Sequence, residues 1–248
     1  MTYLPVRVFR AVRALPAVRA LFVVVAAIGA VLGGAAAAQA DDDVFSNTFR
    51  LGSYTVFYHT NADDLSGPYV PGGVNLKAQN LETLYAAYVR RLSEHFVFEL
   101  ALGWPPLTKT VGQGPATLGS VPFNNQVIST ARWFAPTALL NYQFFDDSAK
   151  LRPYIGIGVN YVNFYDRDST AAGDAASGGP TKISLAPSVG PAGTVGLAYR
   201  LAPHWGLFAS YGIARVDTRL FAYTDGVVRT THISFGPQSL ILSAGYSF

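Results

Sequence analysis

The chain has 248 residues, no cysteine and a formal net charge of +3; 50% of its residues are hydrophobic and only 13% are charged. Without cysteine there is no disulfide framework, no thiolate chemistry and no thiolate-bound metal. A soluble domain usually carries about a quarter charged residues, so this composition indicates that something other than water covers much of the surface.

The first forty residues have the layout of a secretory signal peptide. Four arginines form a basic front, an apolar run covers residues 21–32, and Ala38-Gln39-Ala40 offers small residues to a signal peptidase just before Asp41. We therefore predict a cleaved signal peptide over residues 1–40 and a single domain over residues 41–248. An uncleaved membrane anchor is the alternative, because residues 21–38 are nearly long enough to span a bilayer.

Removal of this segment changes the charge balance. The four arginines leave with no acidic residue, so 14 lysines and arginines remain against 15 aspartates and glutamates, a net charge of −1. The basic character of the whole chain is therefore a targeting feature. It gives no reason to expect a nucleic acid as a partner.

Beyond residue 40, the pattern is that of a series of β-strands. No further apolar stretch reaches about 18 residues, which excludes a helical membrane protein. Period-two alternation predicts eight strands, most of them long enough to cross a bilayer at a tilt. In chain order, these strands cover residues 45–58, 79–90, 95–104, 131–145, 151–165, 182–200, 205–218 and 231–248.

Alternation is clearest in the third, fourth, fifth and eighth of these strands. In the third, Phe98 and Leu100 share one face, while Glu99 and Ala101 share the other. One face is apolar and the other is small or polar, which is the pattern of a strand with lipid outside and a lumen inside. The polar side chains that we expect to line the lumen are Glu99, Asn141, Gln143 and Asn160.

The connections between the predicted strands alternate in length. Short turns are predicted at 91–94, 146–150 and 201–204, long loops at 60–78, 105–130 and 166–181, and an intermediate loop at 219–230. Short periplasmic turns and long external loops are typical of bacterial barrels. Closing the sheet removes its two edges, whose unpaired backbone groups would each cost several kcal/mol in hydrocarbon.

We therefore predict an all-β fold, an eight-stranded antiparallel transmembrane β-barrel with short periplasmic turns and long extracellular loops. Aromatic girdles are expected at both rims, with Trp104 and Trp133 at the outer rim and Trp205, Tyr199 and Tyr246 at the inner one. A soluble barrel or sandwich is the alternative. It would place charge on its outer face, whereas the less apolar faces here carry mainly Gly, Ser, Ala and Asn.

Two adjacent segments carry a family resemblance. Residues 134–144 (Phe-Ala-Pro-Thr-Ala-Leu-Leu-Asn-Tyr-Gln-Phe) and residues 151–161 (Leu-Arg-Pro-Tyr-Ile-Gly-Ile-Gly-Val-Asn-Tyr) resemble the fourth and fifth strands of the OmpW family of outer-membrane proteins. Weaker similarity extends over nearly the whole chain after residue 40. The chain departs from the family pattern after Pro105, which Pro106 follows in place of Phe-x-His, and in the segment 63–73.

The resemblance implies passive passage of small hydrophobic molecules across the outer membrane of a Gram-negative bacterium, with release through the barrel wall into the bilayer. It implies as partners outer-membrane lipid and lipopolysaccharide, the outer-membrane insertion machinery and small hydrophobic solutes. Phe248 and Tyr246 resemble the C-terminal assembly signal that this machinery reads. A non-transporting structural or receptor barrel, acting through its extracellular loops, is the alternative.

Three of the prolines in the predicted strands bear on the continuity of the wall. Pro136, Pro153 and Pro187 cannot donate a hydrogen bond to a strand ladder. Each marks either the start of a strand or a local break in the wall.

Catalysis has little support in the sequence. All four histidines fall at predicted strand ends or in loops, so none stands in mid-strand beside a serine and a carboxylate. We predict no enzymatic activity, no cofactor and no metal site. Glu99 is the titratable group of most interest, because its predicted face points inward among small residues. It either pairs with an arginine in the lumen, is solvated there, or takes part in transport.

Overall fold

The structure, a computed structural model, describes residues 46–118 and 121–248. The predicted signal peptide lies outside these described residues. Within them, no helix is both long enough and apolar enough to cross a membrane.

The described residues form fifteen strands and one short helix. In chain order they are β1 (Asn47–Ala62), β2 (Asn75–Ala78), β3 (Leu81–Arg91), β4 (Phe96–Gly103), β5 (Leu107–Gln113), β6 (Thr117–Leu118), β7 (Val121–Pro122), β8 (Val127–Phe134), β9 (Thr137–Gln143), β10 (Leu151–Ser169), α1 (Ala171–Ser177), β11 (Thr181–Leu185), β12 (Ser188–Arg200), β13 (Trp205–Ala214), β14 (Val216–Thr224) and β15 (Val227–Ser247).

Eight of these strands close into a ring. Its order is β1–β3–β4–β9–β10–β12–β13–β15 and back to β1, and every neighbouring pair is antiparallel. β1 and β15 meet in a register that runs from Thr48 opposite Ser247 to Ala62 opposite Ile233. The ring confirms the predicted all-β barrel of eight strands, and its closure removes the two edges that an open sheet would have.

The outer surface of the ring is apolar, and its inner surface is small or polar. In β10, Ile155 and Ile157 are 50% and 73% exposed, whereas Tyr154 and Gly156 are buried. The same phase, as predicted, runs along β4, β9 and the end of β15. Apolar side chains that point away from the protein are stable where lipid covers them, which is the arrangement of a membrane barrel.

On the side of the longer connections, the wall continues into segments that the sequence predicts as loops. Within the predicted loop 105–130, β5 pairs with β8, and across the predicted loop 219–230 β14 and β15 form a hairpin that turns at Asp225 and Gly226. The loop prediction was wrong there. Strands that rise out of the bilayer need no apolar outer face, so they lack the pattern that marks a lipid-facing strand. We call β2, β5, β8, β11, β14 and the adjoining ends of β1, β10 and β15 the outer extension.

Two of the three prolines interrupt strands. Pro136 lies between β8 and β9, and Pro187 lies between β11 and β12, while Pro153 lies inside β10 opposite Leu197. Because proline has no N–H to donate, these are positions at which a ladder can change its partner. β10 accordingly pairs with β9, which follows Pro136, and further along its length with β8, which precedes Pro136.

The outer extension has a hydrophobic core of its own, which we call the cap. Its buried members are Val74, Leu76, Phe123, Ile183, Leu220, Ala222 and Ile233. Helix α1 packs Ala176 against this core. The helix begins after Thr170, whose hydroxyl accepts a hydrogen bond from the Gly173 N–H at 3.1 Å, and ends at Gly178 with a left-handed φ of 87°.

The aromatic girdles form only in part as predicted. Tyr199, Trp205 and Tyr246 are exposed at the rim with the short turns, and Trp104 is exposed towards the other rim. Trp133 is buried instead, and its Nε1–H donates to the Thr108 hydroxyl at 2.8 Å. The prediction for Trp133 was wrong because the phase of a residue in its strand, and not its height in the barrel, decides which side it faces.

Candidate functional site

A chamber of about 120 Å³ lies inside the barrel, next to the cap. An eight-stranded barrel is only wide enough for its own side chains, so a chamber forms where those side chains are small. Ala101, Ala192 and Gly212 are among the small residues of its wall. The larger apolar side chains that line it are Val56, Trp133, Leu139, Val162, Val216, Leu220, Ile233 and Phe235.

One side of the chamber is built by strand ends that meet near the base of the outer extension. Trp133, Val162 and Val216 form a buried cluster there, with Phe164 and Phe235 packed against it. The indole N–H of Trp133 is already bonded to Thr108, so the ring presents its apolar faces. This side therefore offers an occupant dispersion contacts and no charge.

Glu99 forms the floor of the chamber on the side of the short turns. Its carboxylate accepts hydrogen bonds from Arg50 Nη1 at 3.0 Å, from the Tyr85 hydroxyl at 2.5 Å and from Asn141 Nδ2 at 2.8 Å. These four residues come from β1, β3, β4 and β9, and we call them the floor network. All four side chains are buried.

Arg50 extends this network towards the short turns. Its Nη2 donates to the Tyr154 hydroxyl at 3.2 Å, and its guanidinium carbon lies 3.9 Å from the centre of the Phe208 ring. A buried ion pair needs further partners for its charges. Here two hydroxyls, an amide and an aromatic face surround it, while Arg50 Nε and Asn141 Oδ1 have no hydrogen-bond partner among the described residues. The floor network therefore fills the lumen with matched charges that have almost no exposed surface.

The other end of the chamber meets the cap. Ile183, Leu220 and Ile233 belong both to the cap and to the lining of the chamber. The chamber thus lies between an apolar cap and a floor of paired charges. In the described part of the chain, no group of three His, Cys, Asp or Glu side chains is placed to hold a metal ion.

The wall beside the chamber has a break that we call the side gap. β4 pairs with β9, and β5 pairs with β8, but the two ladders do not meet. Among the described residues, no backbone hydrogen bond joins residues 102–106 to residues 133–136. Pro105, Pro106 and Pro136 lie in these segments, and none of them has an N–H with which to close the ladder.

The chamber reaches this gap. Leu102, Gly103 and Ala135 line the chamber at the two borders of the break. Arg132 Nη1 donates to the Pro105 carbonyl at 3.1 Å, so one flexible side chain spans the gap above it. The apolar chamber therefore borders the break between the two ladders.

The polar residues predicted to line the lumen lie at different levels. Glu99 and Asn160 line the chamber, and Asn141 Nδ2 donates a hydrogen bond to Glu99 from outside the lining. Gln143 is half-buried nearer the short turns, where its N–H donates to the His95 carbonyl at 2.7 Å.

The two residues of the predicted assembly signal lie on the opposite surface of the wall. Tyr246 and Phe248 are both exposed on the outside of the barrel. Their rings stack at 6.5 Å between centroids. Their role in assembly stays a prediction.

Sequence reasoning missed the two main partners of Glu99. Arg50 and Tyr85 both come from strands whose alternation was diluted or unassigned, so their inward phase was not predicted. A buried carboxylate needs a cation close by, and this rule limits the partner to an arginine or lysine inside a strand. That signal could have selected Arg50.

The family comparison covers most of the chain. The model of the OmpW family matches residues 49–248. Outer membrane protein W of Salmonella typhimurium strain LT2 is 34% identical over 142 residues, which is 54% of this chain and 66% of that protein. The chain therefore spans slightly less than two thirds of the length of this relative.

Two further proteins are similar to this chain. The dibenzothiophene metabolism operon protein PahQ of Pseudomonas aeruginosa is 31% identical over 121 residues, 48% of this chain and 53% of that protein. The crystal structure of the outer-membrane protein OprG from Pseudomonas aeruginosa superposes with a TM-score of 0.74 at 20% identity, over 83% of this chain and 97% of that one. At this identity the likeness shows the fold.

Proposed function

Since the chain belongs to the OmpW family and is a β-barrel of the Gram-negative outer membrane, we propose that it gives small hydrophobic molecules passive passage through the lipopolysaccharide leaflet and releases them sideways into the bilayer. One observation carries this proposal. The apolar chamber reaches a break in the barrel wall, while a charged network fills the lumen on the periplasmic side.

The direction of release follows from the different free-energy costs of leaving the chamber through the floor and through the side gap. An apolar solute that left through the floor would have to displace the ion pair of Arg50 and Glu99, and breaking such a pair costs about 3–5 kcal/mol. An exit between residues 102–106 and 133–136 breaks no backbone hydrogen bond, because the two segments share none in the described chain. The side gap is therefore the less costly route.

The physical need for such a route is specific to this membrane. A hydrophobic solute crosses the charged, hydrated lipopolysaccharide layer slowly, yet it partitions readily into hydrocarbon once it arrives. A protein path therefore has to bridge only the polar part of the outer leaflet. Passage of this kind needs no energy source and no cofactor.

The size of the chamber limits the solute. A dry apolar cavity of about 150 Å³ binds benzene, and the chamber here measures about 120 Å³. We therefore propose solutes of about one aromatic ring, or larger ones that pass with movement of the wall. The name of the relative PahQ refers to the metabolism of dibenzothiophene, an apolar aromatic compound, which supports this class.

Uptake of labelled toluene tests the proposal directly. Cells that carry the barrel should take up toluene faster than otherwise identical cells without it, and the difference should persist when the membrane potential is collapsed. An unrelated outer-membrane barrel at the same abundance is the control. Identical rates in all three strains would contradict the transport proposal and would favour the receptor alternative.

A further inference from the structure

The chamber is not uniformly apolar, and its polar groups are unevenly satisfied. Asn160 is buried, and its Nδ2 donates to the Thr137 hydroxyl at 2.7 Å, but no described residue bonds to its Oδ1. Ser210 is also buried and lines the same chamber, and its hydroxyl has no hydrogen-bond partner among the described residues. Both residues line the chamber, so an occupant can form a hydrogen bond with either group.

We propose that the preferred occupant of the chamber is a small neutral alcohol, with one hydroxyl group on a hydrocarbon body of about six carbons. This inference rests on the proposed function and narrows its substrate class. The carboxamide oxygen of Asn160 can only accept a hydrogen bond, so it selects a donor. The Ser210 hydroxyl can both donate and accept, so it offers the hydroxyl of a ligand a second bonding position in the same chamber.

The charge of the floor excludes ionised relatives of such a molecule. Glu99 lines the chamber and is already balanced by Arg50, with its oxygens occupied by three donors. A carboxylate ligand would bring a second buried anion with no cation free to meet it, and an ammonium ligand would bring an uncompensated cation. A neutral hydroxyl group can bond to Asn160 or to Ser210 without disturbing this balance.

Size and apolar lining set the body of the ligand. The chamber volume of about 120 Å³ corresponds to one six-membered ring. Trp133, Val162 and Val216 supply a dry surface for it. Cyclohexanol, methylcyclohexane and cyclohexanecarboxylate therefore form a matched set of probes that differ only in the group attached to the ring.

Trp133 can report the occupation of the chamber. The other two tryptophans, Trp104 and Trp205, are exposed on the outside. The double variant Trp104→Phe, Trp205→Phe leaves Trp133 as the single fluorophore, in the chamber wall. The barrel in lipid nanodiscs is titrated with each probe, and none of the three absorbs where tryptophan does.

We expect methylcyclohexane and cyclohexanol to change the Trp133 fluorescence saturably, and cyclohexanecarboxylate to leave it unchanged. Asn160→Leu should weaken cyclohexanol binding about fivefold, the value of one lost hydrogen bond, and should leave methylcyclohexane binding within about twofold. Partition of a probe into lipid does not affect this comparison, because the affinity of the variant and that of the parent are measured with the same probe. Ser210→Ala gives a second test with a smaller change of shape.

Asn61→Leu is the matched control, because Asn61 is exposed in the outer extension and makes no contact with the chamber. It should bind all probes as the parent does. If methylcyclohexane binds but neither Asn160→Leu nor Ser210→Ala changes cyclohexanol binding, the preference for an alcohol is wrong, while the proposed function stands. If neither neutral probe binds, both the preference and the proposed function are contradicted.

Discussion

At the scale of single residues, the floor network joins Arg50 on β1 to Glu99 on β4 with almost no exposed surface on either side chain. Two charges in this position are stable only together. Removal of one leaves the other buried without compensation, whereas removal of both restores neutrality. The floor is therefore a unit whose members depend on one another.

A double-mutant cycle tests this dependence. Glu99→Gln and Arg50→Met should each lower the free energy of unfolding by about 3–5 kcal/mol, and the double variant should cost clearly less than their sum. Urea unfolding in lipid vesicles, followed by loss of the folded band on a cold gel, measures all four proteins. Additive costs would show that the two side chains do not act as a pair.

Asp147, in the periplasmic turn between β9 and β10, responds to pH. Burial acts to raise the pKa of its carboxyl, but hydrogen bonds and charge from Arg91 and Arg152 outweigh this and lower the pKa below the ordinary 3.8. Arg152 Nη1 donates to Asp147 Oδ1 at 2.6 Å, and Arg91 Nη2 donates to Asp147 Oδ2. A lowered pKa means that stability is gained above the ordinary pKa and lost as the pH falls through the folded value.

Asp147→Asn should therefore be less stable than the parent at pH 6, and the difference should shrink as the pH falls below about 4. Solvent reaches this group, so we expect a difference of about 1 kcal/mol at most. Unfolding in urea between pH 6 and pH 2 measures it. Asp146→Asn is the control, since Asp146 is exposed in the same turn and forms no ion pair among the described residues. A difference that does not change with pH would contradict the account.

At the scale of strands, the seam between β1 and β15 closes the barrel. A Cβ atom at Gly52 would lie 1.9 Å from the Leu242 carbonyl oxygen, closer than any side chain tolerates. Gly236 belongs to the same seam, but a Cβ atom there would be 3.7 Å from its nearest neighbour, the His59 carbonyl oxygen. The two glycines thus differ in the space beside them and not in the strands they join.

Gly52→Ala should force the seam apart and cost about 1–3 kcal/mol, while Gly236→Ala should cost less than about 0.5 kcal/mol, as for a substitution without a clash. The temperature at which the folded band is lost on a gel ranks the two variants against the parent. Equal losses would show that the seam tolerates a methyl group at Gly52 and that the close approach is unimportant.

The comparison between strands shows what the sequence can predict. β10 lies across lipid, so its isoleucines alternate with glycine and tyrosine, and both its position and its phase follow from the pattern. β5 and the first half of β8 rise beyond the bilayer and have no lipid-facing side, so their sequence is typical of a loop although the two strands pair. Periodicity predicts a strand only where the two faces of that strand contact different surroundings, such as lipid on one side and the lumen on the other.

The site shows the same limit. Glu99 and Asn160 were identifiable because they are polar residues on an inward face that alternation defines. The side gap was only partly foreseeable. Pro136 marks a possible break in one strand. The gap also depends on the opposing segment 102–106, and local sequence does not predict which distant segments pair. Trp133 was misplaced because it was assigned by its height in the barrel and not by the phase of its strand.

At the scale of the whole molecule, the barrel combines three regions with different surfaces. The ring is covered by lipid, the outer extension holds an apolar cap, and the floor network fills the lumen near the periplasm. A chamber enclosed in this way exchanges its contents where the wall is weakest. We therefore propose that solutes leave through the side gap, while the floor network blocks passage of water and ions through the lumen.

Blocking the side gap tests this account most directly. The chain has no cysteine, so Ala135→Cys places a single thiol at the gap, and Leu140→Cys places one on the lipid-facing side of β9 as the control. After reaction with a bulky thiosulfonate, labelled toluene uptake by cells with Ala135→Cys should fall to the rate of cells without the barrel, and Leu140→Cys should keep the parent rate. Unchanged uptake after complete modification of Ala135→Cys would contradict passage through the side gap.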